Sequence, residues 1–258
     1  SNICEPDFGY ITNFGKAHLE GFGSEEGVIK GKSELYGFLK QNNKVAFVNN
    51  SDTIQVEKTQ KINRILFSDN IKFLETNPFV KLQYKDIKIQ SNLIGQYNYN
   101  NIAAAVTIGD YFNISSEKIK EAIGDYQPKN NRSQIIKKDK NTIILDAYNA
   151  NPSSMKVALD SFSGLEAKQK TIVLGDMFEL GKSSKVEHQA IVDFAESLNF
   201  DNYYFVGENF YKTKTKHQKF RNFEELKSEI QKINISNNTI LIKGSRGMSL
   251  ERLVEIIG

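Results

Sequence analysis

The chain has 258 residues, 39% hydrophobic and 25% charged, with 34 Lys and Arg against 31 Asp and Glu for a net charge of +3. This length suits two ordinary domains, and so even a charge balance excludes a general attraction to nucleic acid or anionic membrane. The single cysteine, Cys4, excludes an internal disulfide. No apolar run nears the roughly 20 residues of a membrane span, and no leader pattern opens the chain, so the expectation is a cytoplasmic monomer.

In chain order, Pro6-Asp7-Phe8-Gly9 reads as a turn and residues 10–14 as a short buried strand. Ser24 is an N-cap followed by Glu25 and Glu26, and Val28, Lys32, Leu35 and Leu39 form one stripe of the helix it opens. A strand is predicted over 44–48, then short strands with turns to about residue 90. A helix over 98–112 puts Ile102, Ala105, Val106 and Gly109 on one face, and another carries Ile119, Ala122, Ile123 and Tyr126. The polar, proline-containing stretch 126–131 breaks this pattern and sets the expected domains at 1–128 and 129–258.

Beyond the break, strands over 142–145, 171–174, 203–206 and 239–242 alternate with helices. Asn151 caps the first of these with Pro152 at its first position, leaving Met155, Ala158, Leu159 and Phe162 inside. Ser184 and Glu187 read as a capping box, with Val186, Ala190, Phe194 and Leu198 inside. Two further helices near 223–233 and 250–257 show i, i+3, i+7 spacing. This alternation predicts a doubly wound, Rossmann-like α/β domain, a parallel sheet with helices on both faces. The basic clusters 129–140 and 212–219 read as solvated loops.

Several residues could carry chemistry. Lys32 lies on the apolar stripe of its helix, whereas Lys30 and Lys40 lie off it. A buried ammonium costs several kcal/mol, so it must snorkel, pair or shed its charge. In the last case it can capture carbon dioxide as a carbamate, whose oxygens suit Mg²⁺. Gly31-Lys32-Ser33 imitates the end of a phosphate-binding P-loop, but only three residues separate it from Gly27, and the chain offers no P-loop elsewhere. His18, four residues past a predicted strand, is weak evidence alone. Asp146 ends an apolar strand ahead of Tyr148-Asn149-Ala150-Asn151-Pro152, where ligands of doubly wound sheets collect. Turns at Gly175, Gly207 and Gly244 are placed similarly, and Lys243 and Arg246 either bind an anion there or flank the next helix.

Taken together, six segments in order resemble the Mur ligase family, and within it the type that adds D-alanyl-D-alanine. They are residues 11–23 (ITNFGKAHLEGFG), 31–34 (GKSE), 95–104 (GQYNYNNIAA), 146–152 (DAYNANP), 174–181 (LGDMFELG) and 243–248 (KGSRGM). The resemblance implies the later part of a central ATPase domain with a mixed sheet, then a Rossmann-like C-terminal domain. It implies an ATP-dependent ligase with UDP-MurNAc-tripeptide and D-Ala-D-Ala as substrates, and ATP and Mg²⁺ as cofactors. By position, His18 and a carbamylated Lys32 match metal ligands, and Asn98 and Asn101 an asparagine pair near the nucleotide base. Arg132 matches an arginine that reaches the ATP phosphates, Asp146 a residue at the ribose, and Tyr148 and Asn149 neighbours of the phosphates. The turns holding Asp176, Glu179, Asn209, Lys243, Ser245 and Arg246 match contacts for the peptide or the dipeptide.

The sequence departs from the family in two respects. The family's P-loop, a metal-binding glutamate and a UDP-sugar domain lie upstream of the first segment, and Leu145 stands where relatives often carry a second aspartate. The expectation is therefore a fragment that does not ligate alone. Other readings are a sister ligase acting on muramyl peptides or folate, or a non-catalytic nucleotide-binding module. The module would require a G-x-G-x-x-G that is absent from the sequence.

Overall fold

The computed structural model describes residues 1–16, 19–233 and 235–257, which divide into two compact units, Ser1–Tyr126 and Gln127–Gly258. The first unit begins with β1 (Phe8–Tyr10), α1 (Leu19–Phe22), α2 (Glu25–Gln41), β2 (Val45–Val48), α3 (Thr53–Lys58) and β3 (Asn63–Leu66). β1, β2 and β3 form a parallel sheet in that order. Three antiparallel strands follow, β4 (Ile71–Thr76), β5 (Phe79–Tyr84) and β6 (Ile87–Ile94), then α4 (Asn98–Tyr111) and α5 (Ser116–Asp125).

Ser24 opens α2 as its sequence position predicts, its hydroxyl accepting from Gly27 N at 3.1 Å, and Val28 and Leu39 are buried. The first strand lies earlier than expected, at Phe8–Tyr10, and residues 11–15 form a loop instead. Gly9 is not a turn residue but a strand residue in close contact, since a Cβ there would sit 2.8 Å from Leu39 Cδ1. Helix α3 was not foreseen; Asp52 nucleates it by accepting from Ile54 N and Gln55 N, both at 3.0 Å. On α4 the buried residues include Ala103 and Ala104, while Ala105 faces solvent, and on α5 only Ile119 is buried, leaving Ala122 and Tyr126 exposed. One core packs Tyr36 and Leu39 of α2 on Ala46 and Val48 of β2. A second packs Val80, Leu82, Tyr84 and Ile89 of the antiparallel sheet on Ile102, Val106 and Ile119.

The second unit contains β7 (Gln134–Lys138), β8 (Asn141–Asp146), α6 (Pro152–Ser163), β9 (Lys170–Gly175), α7 (Ser184–Ser197), β10 (Asn202–Val206) and α8 (Glu208–Tyr211). It ends with β11 (Gln218–Phe220), α9 (Phe223–Ile230), β12 (Thr239–Lys243) and α10 (Leu253–Ile256). The strands make one sheet in the order β11-β10-β9-β12-β8-β7, parallel except for β7. Ile143, Leu145, Val173, Val206, Ile240 and Ile242 pack on α9 and α10. Side chains alternate across a strand, and the intervening Ile144, Ile172, Leu174, Phe205 and Leu241 are buried on the opposite face. This is the doubly wound arrangement predicted from the alternation of strands and helices.

Two expectations fail here. The basic clusters are not simply loops, because each contains a border strand, β7 or β11. Their lysines are tied inward: Lys138 Nζ donates to Val254 O and Glu255 O at 2.8 and 2.9 Å, and Lys219 Nζ to Tyr211 O and Thr213 O at 3.0 and 2.7 Å. Helix α7 has no capping box, since Ser184 is already helical behind a 3-10 turn at Gly181–Ser183. Its buried face is His188, Ile191, Val192 and Ala195, and Val186 is 70% exposed.

Candidate functional site

In the first unit the apolar stripe of α2 carries Lys32 to a half-buried position, where its Nζ donates to Asn13 O at 2.8 Å. Loss of hydration lowers its pKa from the ordinary lysine value, favouring the neutral amine. The hydroxyls of Tyr10, Ser33 and Tyr36 are buried with no hydrogen-bond partner among the described residues. Each such hydroxyl costs about 1–3 kcal/mol, so this end of α2 has an unmet demand for polar partners. Burial pushes the Tyr10 phenol up to about 12 and raises Tyr36 as well, the charge of Asp52 adding to both. No motif or spacing in the sequence marks these tyrosines. His18 lies outside the described residues. Asn98 is buried and donates to Ile94 O at 2.8 Å, while Asn101 donates to Asn98 Oδ1 at 2.9 Å, so the first turn of α4 brings this pair together.

In the second unit the carboxyl ends of β8, β9 and β12 converge. Register sets Lys243 beside Asp146 and Leu174. Lys243 is 2% exposed, and its Nζ donates to Asp146 Oδ2 at 2.5 Å and to Asn149 O at 3.2 Å. The other Asp146 oxygen accepts from Ser133 N at 3.2 Å, and Tyr148 N donates to Asn131 O at 3.2 Å, so the 131–133 segment is bound to the 146–149 loop. Arg132 consequently stacks on the exposed Tyr148 ring, its Cζ 3.9 Å from the centroid, and Arg246 Cζ lies 5.6 Å from the same centroid. Asn149 is exposed beside them, and Asn151 opens α6 with a reciprocal pair of bonds to Ser154.

The remaining predicted residues divide into two groups. Asp176 is buried, its carboxylate accepting from Asn209 N and Nδ2 at 2.9 and 3.0 Å and from Phe210 N at 2.9 Å. Ser245 is also buried, its Oγ accepting from Phe178 N at 2.9 Å and its N–H donating to Asp176 O at 3.1 Å. Asp176, Asn209, Lys243 and Ser245 therefore bind one loop to another, whereas Glu179 and Arg246 are exposed. Sequence reasoning missed His188, which is fully buried under this network. Met177 N donates to its Nε2 at 3.0 Å, and its Nδ1 is 2.7 Å from Ser184 O, which it meets as a donor in the neutral tautomer. Burial lowers its pKa, while the Ser184 carbonyl and the charges of Asp176 and Glu187 act in the opposite direction.

A Mur ligase middle-domain model matches residues 1–109, and a Mur ligase glutamate ligase domain model matches residues 131–246. The chain is 27% identical to the UDP-N-acetylmuramoyl-tripeptide–D-alanyl-D-alanine ligase of Bacillus subtilis, over 99% of this chain and 60% of that protein. It is 32% identical to the ligase of the same name from Buchnera aphidicola subsp. Baizongia pistaciae, over 99% and 59%. The crystal structure of MurF from Acinetobacter baumannii superposes with a TM-score of 0.81 at 28% identity, covering 98% of this chain and 60% of that one. The chain thus spans about three-fifths of the length of the relatives it matches. Two consecutive domain models of one family account for most of its residues, and the chain belongs to the Mur ligase family.

Proposed function

We propose that the protein carrying this chain joins D-alanyl-D-alanine to UDP-MurNAc-tripeptide at the expense of ATP, in peptidoglycan precursor synthesis. The observation that carries the reading is the cluster at the carboxyl end of the second sheet, where Arg132, Tyr148 and Asn149 face outward over the Lys243–Asp146 pair. Relatives bearing this ligase name match almost the whole chain. A Thermotoga maritima MurF structure, similar in fold, is described as a complex with ADP, which supports ATP as the nucleotide. ATP and a UDP-linked substrate point to work in the cytoplasm. No helix among the described residues is long and apolar enough to cross a membrane.

In this reading the tripeptide carboxylate attacks the γ-phosphate of ATP, giving an acyl phosphate and ADP. The amine of D-Ala-D-Ala then attacks the acyl carbonyl, and phosphate leaves with the C–O bond. Such chemistry depends on positioning and on neutralising phosphate charge. Arg132 meets the phosphates, held in place by the Tyr148 ring and the Ser133–Asp146 bond. Asp146, fixed by Lys243, meets the ribose. Glu179 and Arg246 are the reachable groups on the peptide side, with Asp176, Asn209, Lys243 and Ser245 holding their loops.

Lys32 fits the role of a carbamylated lysine, being half-buried, weakened as a base and flanked on its helix by the hydroxyls of Ser33 and Tyr36, which have no partner among the described residues. With His18 it would hold Mg²⁺, which would screen phosphate charge when bound.

The test uses the full-length protein with ATP, UDP-MurNAc-tripeptide and D-Ala-D-Ala. The expected result is phosphate release that requires both substrates, together with a pentapeptide product by mass spectrometry. Product formed with free glutamate or with a single amino acid in place of the dipeptide, and none with D-Ala-D-Ala, would overturn the reading.

A further inference from the structure

We infer that His188 is a positioning residue for the loop at 177–179, and that its neutral imidazole keeps this loop in the form that receives a peptide substrate. The ring is fully buried on α7, so no substrate reaches it directly. Its Nε2 accepts from Met177 N at 3.0 Å, and Phe178 N, the next amide along, donates to Ser245 Oγ at 2.9 Å. Two successive amides thus end on side chains rather than on a sheet or helix carbonyl. Glu179 follows them, exposed and in the left-handed region at φ +61°. A loop held in this way takes the shape that its acceptors give it, because a buried amide deprived of its acceptor must move to find another.

The hold works in one protonation state. Nδ1 lies 2.7 Å from Ser184 O and 3.3 Å from Ser184 Oγ, and a proton placed there leaves Nε2 free to accept. Among the described residues the charges facing the ring are Asp176, at the end of β9, and Glu187, on its own helix. From α8 it meets an uncharged ring, Phe210, with centroids 4.7 Å apart at 80°. A second proton turns Nε2 into a donor aimed at the Met177 N–H, which expels that amide. It also draws Nε2 toward Asp176 Oδ1, 3.6 Å away, the oxygen that already accepts from Phe210 N at 2.9 Å. Protonation therefore loosens the loop and the start of α8 together. Burial favours the neutral ring and outweighs the Ser184 carbonyl and the two carboxylates, so the folded pKa lies below 6.5. The hold is complete above that pH and is lost as the pH falls through the folded value.

The inference rests on the ligase reading for the identity of the substrate, and its test separates the two. Full-length wild type, H188Q and H188A are compared at pH 7.5 and 5.5. Glutamine keeps an acceptor near the Nε2 position and does not titrate, whereas alanine has none. Hydrogen exchange over residues 176–180, corrected for the intrinsic effect of pH on exchange, needs no turnover. Protection of the Met177 and Phe178 amides is expected to fall about tenfold or more in wild type at the lower pH. It should be low in H188A and high in H188Q at both. In the ligation assay the KM for D-Ala-D-Ala or for UDP-MurNAc-tripeptide is expected to rise in the same pattern, while the KM for ATP changes by less than about threefold. Should H188A not fold, the wild-type and H188Q series decides alone. A protein that shows the exchange pattern and does not ligate sinks the ligase reading and supports the hold on the loop. The inference is overturned if H188Q loses protection as wild type does, if H188A keeps it, if neither peptide KM follows the protection, or if the KM for ATP rises equally.

Discussion

Lys243 brings an ammonium to a place with almost no water, and among the described residues its compensation in charge is Asp146. Asp146→Asn leaves that ammonium unpaired and is expected to cost about 3–5 kcal/mol in urea unfolding. The double variant Asp146→Leu, Lys243→Met should recover most of the loss, because two apolar side chains need no mutual neutralisation. His188 works in the opposite sense. Its folded pKa lies below the ordinary 6.5, so the unfolded chain takes up the proton first as pH falls. Stability is therefore complete above pH 6.5 and is lost progressively below it. Unfolding free energies measured from pH 7.5 down to 5 are expected to show this decline in wild type and a smaller one in His188→Gln. For Lys32 the carbamate proposal predicts that Lys32→Arg in the full-length enzyme lowers ligation by about a hundredfold, and that ¹³CO₂ yields a carbamate carbon resonance in wild type alone. Lys30→Arg, off the stripe, should alter neither readout.

Among the elements, those specified by neighbouring residues were legible. The Asn151 cap with Pro152 behind it, and the Ser24 cap of α2, depend on bonds spanning three residues, and the structure shows both. Asn151→Ala is expected to cost about 1 kcal/mol in thermal unfolding. What could not be read depends on partners distant in sequence. Nothing in Gly9 signals that Leu39 will press on it, and nothing around His188 announces that Met177 and Phe210 enclose it. On α7 the expected inner face was Val186, Ala190, Phe194 and Leu198, whereas the sheet and α8 bury His188, Ile191, Val192 and Ala195. The border strands β7 and β11 escaped notice because a strand with solvent along one side need not be apolar. Gly207 shows how strictly such long-range contacts constrain an element. Its φ is +123°, and a Cβ would fall 2.2 Å from Asp176 Cγ. Gly207→Ala is expected to displace α8 from the Asp176 carboxylate and to lower the melting temperature well beyond the effect of the Asn151 variant.

At the scale of the whole molecule, the family was legible from the six motifs because each motif is contiguous in sequence. The site residues were legible only as candidates, since the sequence does not show which of them turn inward, as Asp176 and Ser245 do. The chain contains no Gly-x₄-Gly-Lys-Ser/Thr loop to cradle a triphosphate. The 258 residues alone are therefore expected to yield no ligation product in a radiolabelled assay in which the full-length protein does.

The lysines that fasten β7 and β11 to neighbouring helix ends have a consequence for crowded solutions. A border strand recruits other molecules when its free amides lie flat and uncharged, and here each border carries a cation anchored to its own chain. A second molecule docking strand to strand would have to break those anchors and bury the charges. Replacing Lys137 and Lys138 with valine is accordingly expected to turn a clear concentrated sample into one whose light scattering grows with time.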